Sequence, residues 1–334
     1  MPRPAIRYPL WLGAALLAAC AAEAPRAPAA QAAPAPDAQA QAGTPVADAA
    51  SEAGADVVAE RELRVENVKP GLDVIFGPGG NIGVSSGADG VVLIDDKFAA
   101  DAPGILYLVE RIAGDGPSDL LFVLNTHLHG DHTGSNPEMK AAGALVMGHD
   151  NIRARMQTSY ENKAFGRTVE AKGPDFLPVV TFSDRASLHF NGVTAHAIHM
   201  PAAHTDGDSI IHLVEPDAIH MGDNLFLGMF PFVDVDSGGS MQGMIAAHDA
   251  ALALAGPATT IIPGHGPVTD RAGLQEARDT LQSILDRMRV RREAGDSLQS
   301  IIDADILADM ADMEGFIKRP GIITAAWRSL GGDI

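Results

Sequence analysis

Four potential metal ligands fall within six residues of this chain, in the segment Thr126-His127-Leu128-His129-Gly130-Asp131-His132. The run Leu120–Asn125 directly before it predicts a buried strand, so the cluster lies on the loop that leaves the end of that strand. Three imidazoles and a carboxylate side by side are hard to explain as packing, but they can converge on a small volume from such a loop. The segment therefore predicts a metal site, with ligands that suit zinc and also iron or manganese.

The cysteine content restricts the kind of metal site that is possible. Cys20 is the only cysteine among 334 residues, so no disulfide can form within a monomer. It lies far from the histidine cluster in the sequence, and a site in the body of the chain therefore has no thiolate available. Histidine and carboxylate ligands must suffice there.

Short apolar runs separated by Gly, Asp and Asn predict a β-rich body that begins near residue 62 and ends in a helical tail. The predicted strands are 73–76, 81–85, 90–94, 120–125, 145–147, 177–182, 187–191, 193–199, 208–214, 218–221 and 259–262. The predicted helices are 102–113, 136–142, 241–254, 271–293, 297–305 and 321–330.

The His127–His132 segment resembles the HxHxDH signature of the metallo-β-lactamase fold superfamily. Four further motifs of that family follow its order: Gly90–Asp95 as an early core strand with a terminal acid, Ala202–Thr205, Met221–Asn224 and Pro263–Gly266. The resemblance covers residues 70–268. It implies an α/β fold, a four-layer αββα sandwich in which two mixed β-sheets lie between helices.

The resemblance also implies two metal sites, residue by residue. His127, His129 and His204 would hold the first ion, Asp131, His132 and His265 the second, and Asp223 would bridge the two. Asp95 is either an acceptor that orients a ligand histidine or a plain turn residue at a strand end. The remaining histidines are expected to be structural: His149, His189, His196, His199, His212, His220 and His248.

A hydrolase with two zinc ions is the activity that this resemblance implies. The pKa of a bound water would fall towards ~7, so that hydroxide attacks the carbonyl of a small substrate of β-lactam or lactone type. Asp131 would orient the water or carry its proton, which makes it a catalytic candidate as well as a ligand. The alternatives are a zinc hydrolase for thioesters or sulfate esters, and a non-hydrolytic metal or redox relay protein.

Three further features bear on the substrate. Zinc β-lactamases with a thiolate at the second site carry a lysine three residues later, whereas this chain has Asp223 and Phe226, which weakens the β-lactam interpretation. The segment Gly228–Asp234 is interpreted as a wall or lid over the site, with core packing as the alternative. The stretch 150–172 is locally basic and either attracts an anionic substrate or forms a solvated helix face.

The overall charge excludes other classes of partner. The formal net charge is −19, whereas nucleic-acid-binding proteins hold phosphates with clustered Lys and Arg. We therefore expect a small-molecule substrate and no nucleic acid.

The N-terminal sequence is typical of an export signal. Arg3 and Arg7 precede a short apolar stretch, Leu10–Ala19, which is the layout of a secretory signal peptide over residues 1–19. Leu17-Ala18-Ala19-Cys20 resembles a bacterial lipobox, which implies lipidation of Cys20; an ordinary signal peptide is the alternative. Residues 20–60 are predicted as a disordered Ala/Pro-rich tether, with a local Ala-rich helix as the alternative that the repeated prolines disfavour, and 61–334 as the metallo-β-lactamase-like domain. The protein would then lie at the periplasmic face of a bacterial membrane, bound only through the lipid at Cys20, or soluble in the periplasm if Cys20 is unmodified.

Overall fold

The structure is a computed structural model that describes residues 46–333, with side chains from residue 52 onwards. The predicted signal peptide, the lipidation site Cys20 and the tether up to residue 45 lie outside the described residues. None of the described helices has both the length and the apolar character needed to cross a bilayer.

The first β-sheet contains seven strands, four of which follow one another as an antiparallel meander before the sheet becomes parallel. In spatial order its strands are β1 Arg64–Lys69, β2 Leu72–Phe76, β3 Ile82–Gly87, β4 Gly90–Ile94, β5 Leu120–Leu124, β6 Leu145–His149 and β9 Val180–Phe182. Strands β4, β5, β6 and β9 run parallel. Their carboxyl ends therefore meet at one edge of the sheet.

The second β-sheet contains five strands, antiparallel except for the last pair. Its strands are β10 Arg185–Phe190, β11 Val193–Met200, β12 Asp208–Leu213, β13 Ala218–His220 and β14 Thr260–Ile262. Each sheet thus mixes parallel and antiparallel pairs.

Helices cover the outer face of each sheet. The described helices are α1 Val46–Glu60, α2 Ala102–Ala113, α3 Gly130–Thr133, α4 Asn136–Ala141, α5 Asp150–Met156, α6 Met241–Leu254, α7 Arg271–Glu293, α8 Leu298–Asp303 and α9 Arg319–Ser329. Buried residues of the two sheets, such as Ile94 and Ile211, form a core between them. A second core joins the first sheet to α2 and α4, and a third joins the second sheet to α6–α9. These layers confirm the predicted αββα sandwich.

The predicted disordered tether is wrong for residues 46–60, which form helix α1. Its Gly54 lies so close to α2 that an added Cβ would be 2.6 Å from Tyr107 Cβ, and Val58 packs against the core beneath α2. The prolines that disfavour a helix are at position 45 and before. Tertiary packing of small and apolar side chains stabilises this helix, and composition alone does not reveal such packing.

The basic stretch 150–172 differs from the solvated helix face that we considered. Only its first part is helical, as α5, and the rest folds into a small antiparallel hairpin, β7 Tyr160–Asn162 and β8 Arg167–Val169. We call residues 160–169 the hairpin. Gly166, in the left-handed region with φ 58°, allows its tight turn.

Candidate metal centre and substrate cavity

Each predicted metal ligand follows the carboxyl end of a strand. His127 and His129 lie on the loop after β5, and Asp131 and His132 lie on the short helix α3 that follows. Single ligands come from three positions in the second sheet: His204 from the connection β11–β12, Asp223 from the turn after β13, and His265 from the loop after β14. The two sheets therefore bring the seven side chains together at one edge of the sandwich, in two groups whose donor atoms converge.

The first group comprises His127, His129, His204 and Asp223. His204 Nε2 lies 2.8 Å from His129 Nδ1 and 3.6 Å from Asp223 Oδ2. His127 Nε2 is also 3.6 Å from Asp223 Oδ2. The second nitrogen of His204, Nδ1, donates to the Phe232 carbonyl at 2.8 Å, which leaves Nε2 facing the centre.

The second group comprises Asp131, His132 and His265, and Asp223 reaches it with its other oxygen. Asp223 Oδ1 lies 3.0 Å from His132 Nε2 and 3.3 Å from His265 Nε2. Asp131 Oδ2 lies 3.3 Å from His265 Nε2. Since Oδ2 of Asp223 faces the first group and Oδ1 the second, this carboxylate has the geometry of a bridging ligand.

The donor set fits divalent metal ions. Bonds of about 2.0–2.2 Å place the donors of a tetrahedral zinc site about 3.3–3.6 Å apart, and most of the separations above lie in or near this range. His127 Nε2 and His132 Nε2 are buried and make no hydrogen bond within residues 46–333. A buried nitrogen without a partner is costly, and a metal ion would satisfy both.

Asp95 orients His132 from behind. It is fully buried, and its Oδ2 accepts a hydrogen bond from His132 Nδ1 at 2.7 Å. Thr126 donates to the same carboxylate through its backbone N–H and its hydroxyl, each at 2.7 Å. Of the two interpretations of Asp95, the structure supports the acceptor, because this contact fixes the tautomer that leaves Nε2 free for a metal.

Asp234 plays the same part for His129, and sequence reasoning missed it. The side chain is 1% exposed, and its Oδ2 accepts from His129 Nε2 at 2.9 Å, which turns Nδ1 towards the first group. The residue is in the segment interpreted as a lid, but it is 105 positions from His129. No local spacing rule connects residues so far apart.

Glycines allow the backbone to approach the ligands closely. A Cβ at Gly80 would lie 2.0 Å from His132 Cε1, and one at Gly264 would lie 2.1 Å from Asp223 Oδ1. Asn81, also missed from the sequence, donates through Nδ2 to the carbonyls of Pro263 and Gly266 at 2.9 Å each. It thereby holds the loop that carries His265.

The electrostatics favour the protonation states that a metal requires at some ligands and oppose them at others. Burial lowers the pKa of His204 to about 4, with neighbouring His129 acting in the same direction. Burial would raise the pKa of Asp131, but His132 and a hydrogen bond from His265 lower it to about 2. Burial would lower the pKa of His265, yet Asp223 and Asp131 raise it to about 9. A metal ion therefore competes with a proton at His265, and metal affinity should fall at low pH.

A cavity of about 670 Å³ opens onto the centre and is lined by His129, Asp131, Asp223 and His265. Its walls include Phe226, Met229 and Phe232, while Phe230 and Val233 are buried in the core. The segment Gly228–Asp234 is therefore partly a wall of the site and partly core packing. The hairpin forms a further part of the wall and contributes Tyr160, Asn162, Phe165, Arg167, Thr168 and Val169.

The other histidines lie outside both ligand groups. His220 is fully buried and donates through Nε2 to the Asn81 carbonyl at 3.2 Å. His248 donates in the same way to the Asn224 carbonyl. His149 and His199 stack on each other, with ring centroids 3.7 Å apart. These contacts agree with the structural roles expected for them.

Comparison with known proteins accounts for this arrangement. Residues 75–265 match the sequence profile described as "Metallo-beta-lactamase superfamily". The chain belongs to the metallo-β-lactamase superfamily. No protein with a curated description matches it.

Solved structures of the metallo-β-lactamase fold resemble the chain at low sequence identity. The inverting sec-alkylsulfatase Pisa1 from Pseudomonas sp. is 16% identical over 84% of this chain and 52% of its own, with a TM-score of 0.58. The chain thus spans about half the length of that sulfatase. The DIM-1 metallo-β-lactamase is 18% identical over 66% of this chain and 97% of its own, with a TM-score of 0.54. A metallo-β-lactamase from Pontibacter korlensis is 18% identical over 66% and 99%, with a TM-score of 0.51. At these identities the likeness establishes the fold, and these neighbours are hydrolases.

Proposed function

We propose that this protein is a dinuclear zinc hydrolase that cleaves a small carbonyl substrate of ester or lactone type. The observation that carries the proposal is the position of Asp223, whose two oxygens face two separate groups of histidines. Four histidine nitrogens surround this carboxylate, from His127, His132, His204 and His265, and two cations would satisfy all these groups at once. Zinc is proposed because imidazole and carboxylate in near-tetrahedral arrangement are its usual ligands; iron and manganese accept the same ligands.

The protein's own residues would bind the metal ions, orient the attacking water and accept its proton. When bound, two zinc ions would lower the pKa of a water molecule towards about 7 and polarise the substrate oxygen. Asp131 lines the cavity, and its side chain is 22% exposed. It is therefore placed to hold that water by a hydrogen bond and to accept its proton. Asp95 and Asp234 would keep the ligand imidazoles in the tautomers that bind metal.

Phe226 favours an ester or lactone over a β-lactam. Its ring stacks on the His265 imidazole, with centroids 4.8 Å apart and an interplanar angle of 15°. The position that carries a carboxylate-binding lysine in the thiolate-containing β-lactamases is thus occupied by an apolar ring. β-Lactam turnover, if present, should be slow for lack of that cation.

A sulfate ester is the second candidate. Arg167 and Lys172 line the cavity, and within the described residues neither forms an ion pair with a carboxylate. Free cations beside the site suit a substrate that carries an anionic group.

We further propose an exported protein, with Cys20 lipidated at the periplasmic face of a bacterial membrane. The support is the basic, apolar and Leu-Ala-Ala-Cys order of residues 1–20. Cys20→Ala should shift the protein from the membrane fraction to the soluble periplasmic fraction. An unchanged distribution would contradict lipidation.

The test of the hydrolase is turnover that depends on the metal. Chelated protein would be reloaded with zinc, its metal content measured by mass spectrometry, and hydrolysis followed for homoserine lactones, aryl esters, thioesters, aryl sulfates and nitrocefin. We expect two zinc equivalents and turnover of at least one ester class, lost on chelation and in Asp131→Asn. A protein that binds two equivalents and turns over no substrate would contradict the proposed function.

A further inference from the structure

Two exposed phenylalanines face each other at the rim of the cavity. Phe165 comes from the turn of the hairpin and Phe316 from the segment before α9, and their ring centroids lie 5.3 Å apart. Their exposed fractions are 37% and 71%, and the second is the highest among the large apolar residues described. Exposed aromatic rings that meet at the mouth of a site indicate a surface for an apolar ligand.

The aromatic surface continues from the rim to the metal ligands. Phe165 lies 4.9 Å from Phe232 between ring centroids, and Phe232 lies 5.7 Å from His129. A ligand chain that follows these rings inwards would bring its other end to the metal centre. The aromatic path is therefore suited to the part of a substrate that does not react.

The rim residues are held opposite each other by a shared partner. Asp236 accepts a hydrogen bond from the Lys163 backbone N–H in the hairpin, at 2.8 Å. The same carboxylate forms an ion pair with the Arg328 guanidinium in α9, and its side chain is 8% exposed. A largely buried ion pair of this kind fixes geometry more than it adds stability. The hairpin and the C-terminal helix α9 are thus both bonded to the side chain of Asp236.

The rim also carries positive charge. The Arg167 guanidinium lies 5.6 Å from the centroid of the Phe165 ring, and the Lys172 ammonium lies 5.1 Å from that of Phe176. Both side chains line the cavity, as does Glu170, to which Ser159 donates; the other two acids of the lining, Asp131 and Asp223, belong to the ligand groups. In a protein with a net charge of −19, two cations without a carboxylate partner among the described residues point to an anionic ligand group.

We propose that Phe165 and Phe316 form an aromatic clamp for the non-reacting part of the substrate, and that this substrate is an anionic amphiphile with an alkyl chain or aryl group. Its acidic group would lie near Arg167 and Lys172. The proposal rests on the proposed function for the identity of the ester, and on the cavity geometry for the apolar and anionic parts.

The kinetic test is a series of p-nitrophenyl esters from acetate to octanoate, with zinc-loaded protein. Each methylene held by an apolar surface contributes up to about 0.8 kcal/mol. We expect kcat/KM for octanoate to exceed that for acetate by at least about 100-fold, and this ratio to fall below about tenfold in Phe165→Ala/Phe316→Ala. Leu254→Ala, at a 40% exposed residue of α6 that does not line the cavity, is the control and should keep the wild-type ratio. Equal ratios in the wild type and the double variant would overturn the clamp.

A binding test separates the clamp from the hydrolysis. The aromatic sulfonate 8-anilinonaphthalene-1-sulfonate and its uncharged analogue N-phenyl-1-naphthylamine would be titrated by fluorescence. The double phenylalanine variant should bind the sulfonate at least about tenfold more weakly. Arg167→Gln/Lys172→Gln should shift the ratio of the two dissociation constants by at least about fivefold, against the sulfonate.

The outcomes are distinct. Unchanged sulfonate binding in the double phenylalanine variant overturns the clamp, whatever the kinetics show. An unchanged ratio of dissociation constants in Arg167→Gln/Lys172→Gln overturns the assignment of the anionic group. If no ester is hydrolysed but both binding contrasts are present, the clamp is supported and the proposed hydrolase is contradicted.

Discussion

Asp95 Oδ2 lies 2.7 Å from His132 Nδ1, and neither side chain is accessible to solvent. The hydrogen bond aims Nε2 of His132 at the second ligand group and raises the basicity of the ring. Since outer partners of ligand histidines contribute about 10–100-fold to metal affinity, Asp95→Asn should weaken the second metal equivalent by that factor. Competition with a chromophoric chelator measures this affinity for the second metal equivalent. Asp96→Asn is the matched control, because Asp96 is equally buried but accepts from Ser135 N–H instead.

Asp234→Asn should have the complementary effect on the first metal equivalent. Asp234 accepts from His129 Nε2 and leaves Nδ1 for the metal. The amide can present its N–H₂ group instead, which no longer selects that tautomer. We expect a loss of about tenfold or more at the first site with the second site nearly unchanged. Cobalt-substituted protein would show which of the two absorption spectra changes, and a loss confined to the second site would contradict the assignment.

Two glycines near the ligands should tolerate alanine very differently. In Gly80→Ala the new Cβ would lie 2.0 Å from His132 Cε1, and Asp95 prevents the ring from moving away. We expect a destabilisation of about 1–3 kcal/mol from overpacking, and weaker binding of the second metal.

Gly130→Ala provides the contrast to Gly80→Ala. Gly130 lies between His129 and Asp131, yet a Cβ added there would meet no atom within 4 Å beyond its chain neighbours and the backbone of its own short helix. The metal affinity and the midpoint of thermal unfolding should stay close to those of the wild type. An equal loss of metal affinity and stability in both variants would show that the ligand cluster is sensitive to any substitution nearby. The close approach of Gly80 to His132 would then not explain the effect of Gly80→Ala.

His248 should make the metal-free protein less stable in mild acid. Burial lowers its pKa to about 4 from the usual value of 6.5. Between these values the unfolded chain binds a proton that the folded chain does not, so stability is lost as the pH falls from 6.5 to about 4. The shift corresponds to about 3 kcal/mol at most. Urea unfolding of chelated protein across this range should show the loss in the wild type and a smaller one in His248→Gln. His189→Gln, at an exposed strand position, is the matched control for the substitution itself.

Helix α1 should stabilise the domain that follows it. Val58 packs against the core beneath α2, and the half-buried apolar contacts of α1 correspond to about 2 kcal/mol. A chain that begins at residue 61 should therefore unfold about 3–4 °C lower than one that begins at residue 46. Equal midpoints of thermal unfolding would mean that α1 does not stabilise the domain. The domain would then begin at residue 61, as the sequence predicted.

Much of the fold was predictable because its elements have strong local signals. Helices 102–113, 241–254 and 271–293 were predicted with the observed bounds. In the structure Ser240 and Asp270 cap the last two of these helices, so local contacts reinforce the apolar pattern there. The hairpin was not predicted. Its strands are three residues each, too short to show a period, and its residues are stabilised by contacts with distant segments such as that of Lys163 with Asp236.

The sequence by itself determined the superfamily and the seven candidate ligands, because histidines and carboxylates in a fixed order of motifs carry their chemistry with them. Only the tertiary structure decided how the ligands are oriented and what the cavity can bind. Asp234 reaches His129 across 105 positions, and Phe165 meets Phe316 across a still longer stretch of chain. Such contacts depend on how the two sheets, the hairpin and the C-terminal helices pack, and no local pattern of residues encodes a distance between segments that far apart.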